Sequence, residues 1–331
     1  MTRRRIIGLG IVATGLVWFQ VAGRFEAARI EQQRQNRPVT QSQPAGLRID
    51  SERLMAAVTT LADPRWEGRA AGLSGGLAAR AWIRDRVKAI GLQPIGGGYV
   101  HPFTFTRKTV TGRQDGEGAN VLAVCVGLDS TLPYIIVSAH YDHLGVRDGQ
   151  VYPGADDNAS GVAVMLELAA YCITNPFRHS ILFAAWDAEE RGLQGARAFL
   201  LRPPVPQDRV GLNVNLDMVS RSDKREIFIA GTYHYPDLKG PLEEVAKRAP
   251  ITVLFGHDKP VAIAGGVEDW TNQSDHGPFH DARIPFVYFG VEDHVDYHKP
   301  TDTADKINRG FFVDVAETIL DSLLALDRAR Q

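Results

Sequence analysis

The chain has 331 residues, 44% of them hydrophobic and 23% charged, which is enough apolar mass for one large core or two small ones. Lysine plus arginine number 37 against 39 acidic residues, a formal charge of −2. With no cationic excess and no stripe of Lys and Arg, nucleic acid is excluded as a partner.

Chain order begins with a segment unlike the rest. Arg3, Arg4 and Arg5 precede an uncharged run of eighteen residues at 6–23. A basic start followed by a long apolar stretch reads as an export signal. Eighteen helical residues rise about 27 Å, close to the roughly 30 Å hydrocarbon core. That length favours an anchor retained in the inner membrane over a cleaved signal. Either way, the remainder is expected in the periplasm or outside the cell. Residues 24–46, rich in Gln and Arg with two prolines, read as a flexible tether. Residues 47–331 read as a single globular domain.

The spacing predicts helices around 51–62 and 76–90, the second stopped by Gly91. Two apolar runs, 119–127 and 133–139, flank a short Asp-Ser turn and read as a hairpin. Helix and strand then alternate: helix at 159–172, strand at 180–186, helix at 194–201, strand at 210–216. A strand at 284–290 and an amphipathic helix at 311–326 complete the order. Short, fully apolar strands alternating with helices predict an α/β fold, with a mixed, mostly parallel sheet covered on both faces. Cys125 and Cys172 lie in apolar segments without a Cys-x-x-Cys partner. They read as buried free thiols rather than a disulfide or zinc thiolates.

The residues just beyond each apolar strand carry the chemistry. After 133–139 comes His140-Tyr141-Asp142-His143. After 180–186 comes Asp187-Ala188-Glu189-Glu190, and after 210–216 comes Asp217. The loop after 284–290 holds Asp293, His294, Asp296 and His298. Open α/β sheets bind ligands at the carboxyl ends of their strands, so four strands deliver acids and imidazoles to one rim. A fifth contribution, Asp156-Asp157-Asn158, precedes the helix at 159–172 and exceeds what one N-cap requires. Histidines and carboxylates without thiolates suit zinc in an open, catalytic site. Asp156, Glu190 and Asp217 bring −3, which with two ions and a bridging hydroxide comes to neutral. The arithmetic prefers two metals.

These residues, in this order, resemble the M28 family of zinc peptidases, through SAHYDHLG, GADDNASG, WDAEERGLQG, NLDMVSR, SDHGPF and DYHKPTDT. Weaker similarity begins at LADPRWEGRAAG (61–72), so the resemblance covers roughly residues 50–328. It implies the zinc-peptidase three-layer sandwich and an exopeptidase, in first place an aminopeptidase acting on peptide substrates. It further implies that Asp156 bridges two zinc ions, with His140 and Asp217 completing one and Glu190 and His298 the other. Glu189 resembles the general base, and Asp142 the acid that hydrogen-bonds His140. Asp157 and Asp275 take supporting roles, and Tyr297 helps hold the oxyanion. A cis bond between the two aspartates is also expected from the family. His143, His276 and His294 are assigned hydrogen-bonding or substrate-facing roles rather than metal ligation. The alternatives are a carboxypeptidase or dipeptidase of the same family, a single-zinc glutaminyl cyclase, and a non-catalytic anchored domain of the same fold.

Overall fold

The computed structural model describes residues 28, 29, 31–33 and 35, and residues 48–330 except 111. The expected export segment at 1–23 and most of the tether at 24–46 lie outside the described residues. Among the described residues, no helix is long and apolar enough to cross a membrane.

Two helices open the fold. α1 (Ser51–Leu61) is capped by Asp50, whose carboxylate accepts from the backbone N–H groups of Glu52 and Arg53. α2 (Ser74–Ile90) ends at Gly91, which takes the left-handed conformation at φ 99°. The strands come next: β1 (Gln93–Pro94), β2 (Val100–Thr109), β3 (Gly112–Cys125), β4 (Tyr134–His140) and a small ribbon of β5 (Gly145–Arg147) with β6 (Gln150–Tyr152). After them come α3 (Gly161–Thr174), β7 (Ile181–Trp186), α4 (Gln194–Leu201), β8 (Val210–Leu216) and β9 (Glu226–Ala230). The order closes with α5 (Lys239–Ala246), β10 (Thr252–Phe255), α6 (Val261–Ala264), α7 (His276–Asp281), β11 (Phe286–Gly290) and α8 (Arg309–Ala329).

Nine strands form one sheet in the order β1-β3-β7-β4-β8-β11-β9-β10, with β2 also paired to β3. β7, β4, β8 and β11 run parallel to their neighbours in that block. β3 pairs antiparallel with β7, and β9 antiparallel with β11. The expected hairpin between 119–127 and 133–139 does not form, because β7 lies between β3 and β4. β3 makes its hairpin with β2 instead. Alternation in β2 is confined to Phe103-Thr104-Phe105-Thr106, between Pro102 and Arg107-Lys108, too brief a pattern to announce that strand. Residues 221–272 supply β9 and β10 to the sheet, with α5 between them.

The alternation of side chains along each strand explains why these segments are apolar throughout. Val121, Ala123, Ile135 and Val137 face the larger core, with Leu54 and Val58 of α1, Ile83 and Val87 of α2, and Phe311 and Phe312 of α8. Leu122, Val124, Ile136 and Leu182 face the opposite core with Phe199 of α4 and Phe279 of α7. Cys125 and Cys172 join β3 to α3 through a disulfide, which corrects the expectation of free thiols. The two residues are 47 apart in sequence, and only the packing of α3 across β3 makes them neighbours.

Candidate metal centre

Adjacent parallel strands lie about 4.8 Å apart, so the ends of β7, β4, β8 and β11 form a row. His140 pairs in register with Trp186, and Leu216 with Phe289, so the polar residues beyond them emerge side by side.

His140 is buried at the end of β4. Its Nδ1 lies 3.0 Å from the main-chain oxygen of Asp142, which turns Nε2 toward the carboxylates of Asp157 (3.3 Å) and Asp217 (3.2 Å). The expectation that the Asp142 carboxylate binds His140 is corrected, since its Oδ1 is 3.8 Å from Nδ1. That carboxylate instead accepts from the N–H groups of Glu189 (2.9 Å) and Glu190 (3.3 Å). It shapes the turn that presents both acids.

Asp217 comes directly after β8 and accepts at Oδ2 from Ser274 Oγ, 2.7 Å away. Ser274 also accepts from Asn215, whose side-chain oxygen takes the Ser138 hydroxyl, which in turn accepts from Asn213. Sequence reasoning gave these residues no role. The visible signal was asparagine at 213 and 215, two positions on one face of an otherwise apolar strand. Asp275, assigned a supporting role, is fully buried and neither carboxylate oxygen has a hydrogen-bond partner among the described residues. Burial, with Asp217 nearby, pushes its carboxyl up to about 7 against the pull of His140. The orienting bond to Asp217 comes from Ser274.

The two consecutive aspartates part company. Asp156 turns its Oδ1 to the N–H and hydroxyl of Ser220, at 2.8 and 2.6 Å, and its Oδ2 to His294 Nε2 at 3.2 Å. Asp157 is the residue that enters the site, with Oδ1 near His140 and Oδ2 3.0 Å from His298 Nε2. The expectation that Asp156 enters the site is therefore corrected: Asp157 is the aspartate that faces both histidines. The cis peptide is likewise one residue later, joining Asp157 to Asn158. The reason lies in the irregular turn of Ala155–Ser160, where no repeating period dictates which carboxylate points inward. Asp302, within the DYHKPTDT stretch but given no role by the sequence, pins this turn by accepting from the N–H groups of Asp156 and Asp157. Burial works against the charge on Asp157, yet His143, His140 and His298 hold its carboxyl well below the usual range.

Glu190 places Oε1 2.9 Å from His143 Nδ1 and 3.6 Å from His298 Nε2. Glu189 stands beside it, half-buried. Burial raises its carboxyl well above the ordinary value, helped by Asp275, Asp217 and Glu190 and opposed by His140. Tyr297 stacks on His298 with ring centroids 3.9 Å apart. Burial and the surrounding carboxylates push its phenol far above the ordinary value, so it remains an O–H donor. His276 is buried and lies away from the carboxylates, with Nε2 2.8 Å from the Trp270 oxygen.

Beneath the cluster, Arg69 is completely buried and donates to the main-chain oxygens of Tyr141, Leu61, Pro153 and Gly154. It ties the loop after β4 to the turn that carries Asp157.

Two groups among the described residues can hold a cation: His140 with Asp157 and Asp217, and His143 with Asp157 and Glu190. Asp157 belongs to both. The donors are imidazole and carboxylate, as zinc requires. Several of them, including Glu190 Oε1, are buried without a hydrogen-bond partner among the described residues, which fits groups shaped around an ion.

The family model for Peptidase family M28 matches residues 120–323. The chain belongs to peptidase family M28. The M28 match takes in all the site residues named above except Arg69. Aminopeptidase YwaD of Bacillus subtilis (strain 168) is 32% identical over 183 residues, covering 53% of this chain and 37% of that protein. This M28 chain therefore matches well under half the length of that relative. BSAP, a zinc aminopeptidase from Bacillus subtilis, has a similar fold with a TM-score of 0.67 and 15% identity, over 84% of this chain and 96% of that one. Porphyromonas gingivalis glutaminyl cyclase shares the fold at a TM-score of 0.66 and 18% identity, over 84% of this chain and 99% of that one.

Proposed function

We propose that this M28 chain is a zinc-dependent aminopeptidase with two zinc ions that share Asp157. His140 and Asp217 would hold one ion, Glu190 and His298 the other. The observation that carries this reading is the position of Asp157, one oxygen facing His140 and the other facing His298. Zinc in such a centre lowers the pKa of water and polarises a carbonyl.

The chain's own groups supply the rest. Glu189, with its carboxyl raised by burial, is suited to take a proton from the nucleophilic water and return it to the leaving amine. Asp142 holds Glu189 and Glu190 in their turn, and Ser274 holds Asp217. Tyr297, kept protonated, is available to donate to a developing oxyanion. The surplus of carboxylates around the site favours a substrate with a free α-amine, which would confine cleavage to chain ends.

Glutaminyl cyclase remains the second reading because that fold is shared, but it uses a single zinc. The complete His140, Asp157 and Asp217 group beside a second group favours the peptidase. We include an extracytoplasmic location and residues 47–331 as one domain in the proposal. The disulfide supports the location, since such bonds are rare in the cytosol.

The test is a panel of aminoacyl and N-blocked chromogenic substrates, run with chelator and zinc add-back. Free-amine substrates should be cleaved, with activity lost to the chelator and restored by zinc. Cleavage of the blocked substrates alone would overturn the aminopeptidase reading.

A further inference from the structure

His143 is the histidine at the centre that the family-derived ligand set leaves out. It is 1% exposed, and neither ring nitrogen has a hydrogen-bond partner among the described residues. Leaving a buried polar group without a partner is costly, so such an arrangement calls for a partner outside the polypeptide. Its Nδ1 lies 2.9 Å from Glu190 Oε1, yet Glu190 Oε1 also lacks a hydrogen bond. The two atoms are close without being aligned toward each other. Lone pairs aimed at a common point produce that geometry.

The neighbouring separations agree. His143 Nδ1 is 3.7 Å from Asp157 Oδ2, while His298 Nε2 is 3.0 Å from Asp157 Oδ2 and 3.6 Å from Glu190 Oε1. Four donors around zinc with bonds of about 2.0 Å stand about 3.3 Å apart. The observed values bracket that edge. The rings of His143 and His298 are 5.9 Å apart and tilted by 58°, so they approach from different sides. The berth of His143 is also built. Gly154 has φ 60°, and a Cβ there would lie 2.5 Å from His143 Cδ2, so only glycine lets the ring reach this position.

We infer that His143 is a fourth protein donor to the cation held by Asp157, Glu190 and His298. That site then has two imidazoles and two carboxylates, while the His140 site keeps three protein donors and the open position. The inference rests on the two-zinc reading. Its consequence is unequal retention: the ion beside His143 is held more tightly than the ion beside His140.

Diffraction from zinc-loaded wild-type crystals at the zinc absorption edge tests this. Two anomalous peaks flanking Asp157 are expected, one of them about 2.0–2.1 Å from His143 Nδ1. Two peaks with His143 Nδ1 more than about 3 Å from either, beyond any Zn–N bond, overturn the inference and leave the two-zinc reading standing. A single peak, or none, sinks the two-zinc reading and this inference with it. In solution, chelator competition on zinc-loaded His143→Ala should show the second-site affinity reduced by about 100-fold or more, with the first site unchanged. Equal retention of both ions by variant and wild type overturns the inference. If the variant does not fold, diffraction from the wild type still decides.

Discussion

Replacing Arg69 by lysine keeps the positive charge and removes the planar fork. Arg69 spans four main-chain oxygens, at 2.8 Å to Tyr141, 2.6 Å to Leu61, 2.5 Å to Pro153 and 2.8 Å to Gly154. A lysine ammonium carries three donors at one point and cannot reach acceptors arrayed around a guanidinium. At least two carbonyls should be stranded, each costing about 1–3 kcal/mol, so the expected loss is roughly 2–6 kcal/mol. That is a large fraction of the about 5–15 kcal/mol that holds a typical domain together. Burial pushes the Arg69 guanidinium down only to about 10, so the wild-type side chain stays cationic at neutral pH. Urea unfolding of the metal-free protein, followed by circular dichroism, should show the lower midpoint. Because Tyr141, Pro153 and Gly154 flank the segments carrying His140 and Asp157, zinc affinity should fall as well. A lysine variant within about 1 kcal/mol of wild type, where benign substitutions fall, would refute the reasoning.

Glu189→Gln should cut turnover by about 10²–10⁴-fold, as loss of a general base does, while zinc content measured by atomic absorption stays unchanged. Near-wild-type turnover in that variant would remove the base assignment. Asp157→Asn should abolish retention of both ions, whereas Asp156→Asn should keep them, because Asp156 is engaged with Ser220. The opposite pattern, read by metal analysis after gel filtration, would restore Asp156 as the bridge. Replacing both Cys125 and Cys172 by serine opens a loop of 47 residues and should lower stability by roughly 2–4 kcal/mol. An unchanged urea midpoint would mean that the linkage contributes little.

Much of the centre is legible along the chain. Polar residues placed directly after apolar strands announce a sheet whose carboxyl ends build a site, and His140, Glu189, Glu190, Asp217 and His298 emerge from that alone or with the family resemblance. The helices at 194–201 and 51–62 are readable because a 3.6-residue period acts within a few neighbours, helped at the second by the Asp50 cap. β2 escapes such a reading because its outer face is exposed. β9 and β10 escape it because the segment around them carries no strand-end motif.

Sequence by itself determined the helices at 51–62 and 194–201, the strands that end at His140, Trp186, Leu216 and Gly290, and which residue types reach the rim, since period and strand-end polarity act through neighbours along the chain. Only the tertiary structure decided that β7 separates β3 from β4, that Cys125 meets Cys172, that Asp157 rather than Asp156 faces the histidines, and that His143 joins Glu190. Each of these depends on direction or proximity in an irregular turn or across the sheet. There no repeat along the chain sets where a side chain points, and packing from distant segments such as Arg69, Ser220 and Asp302 makes the choice.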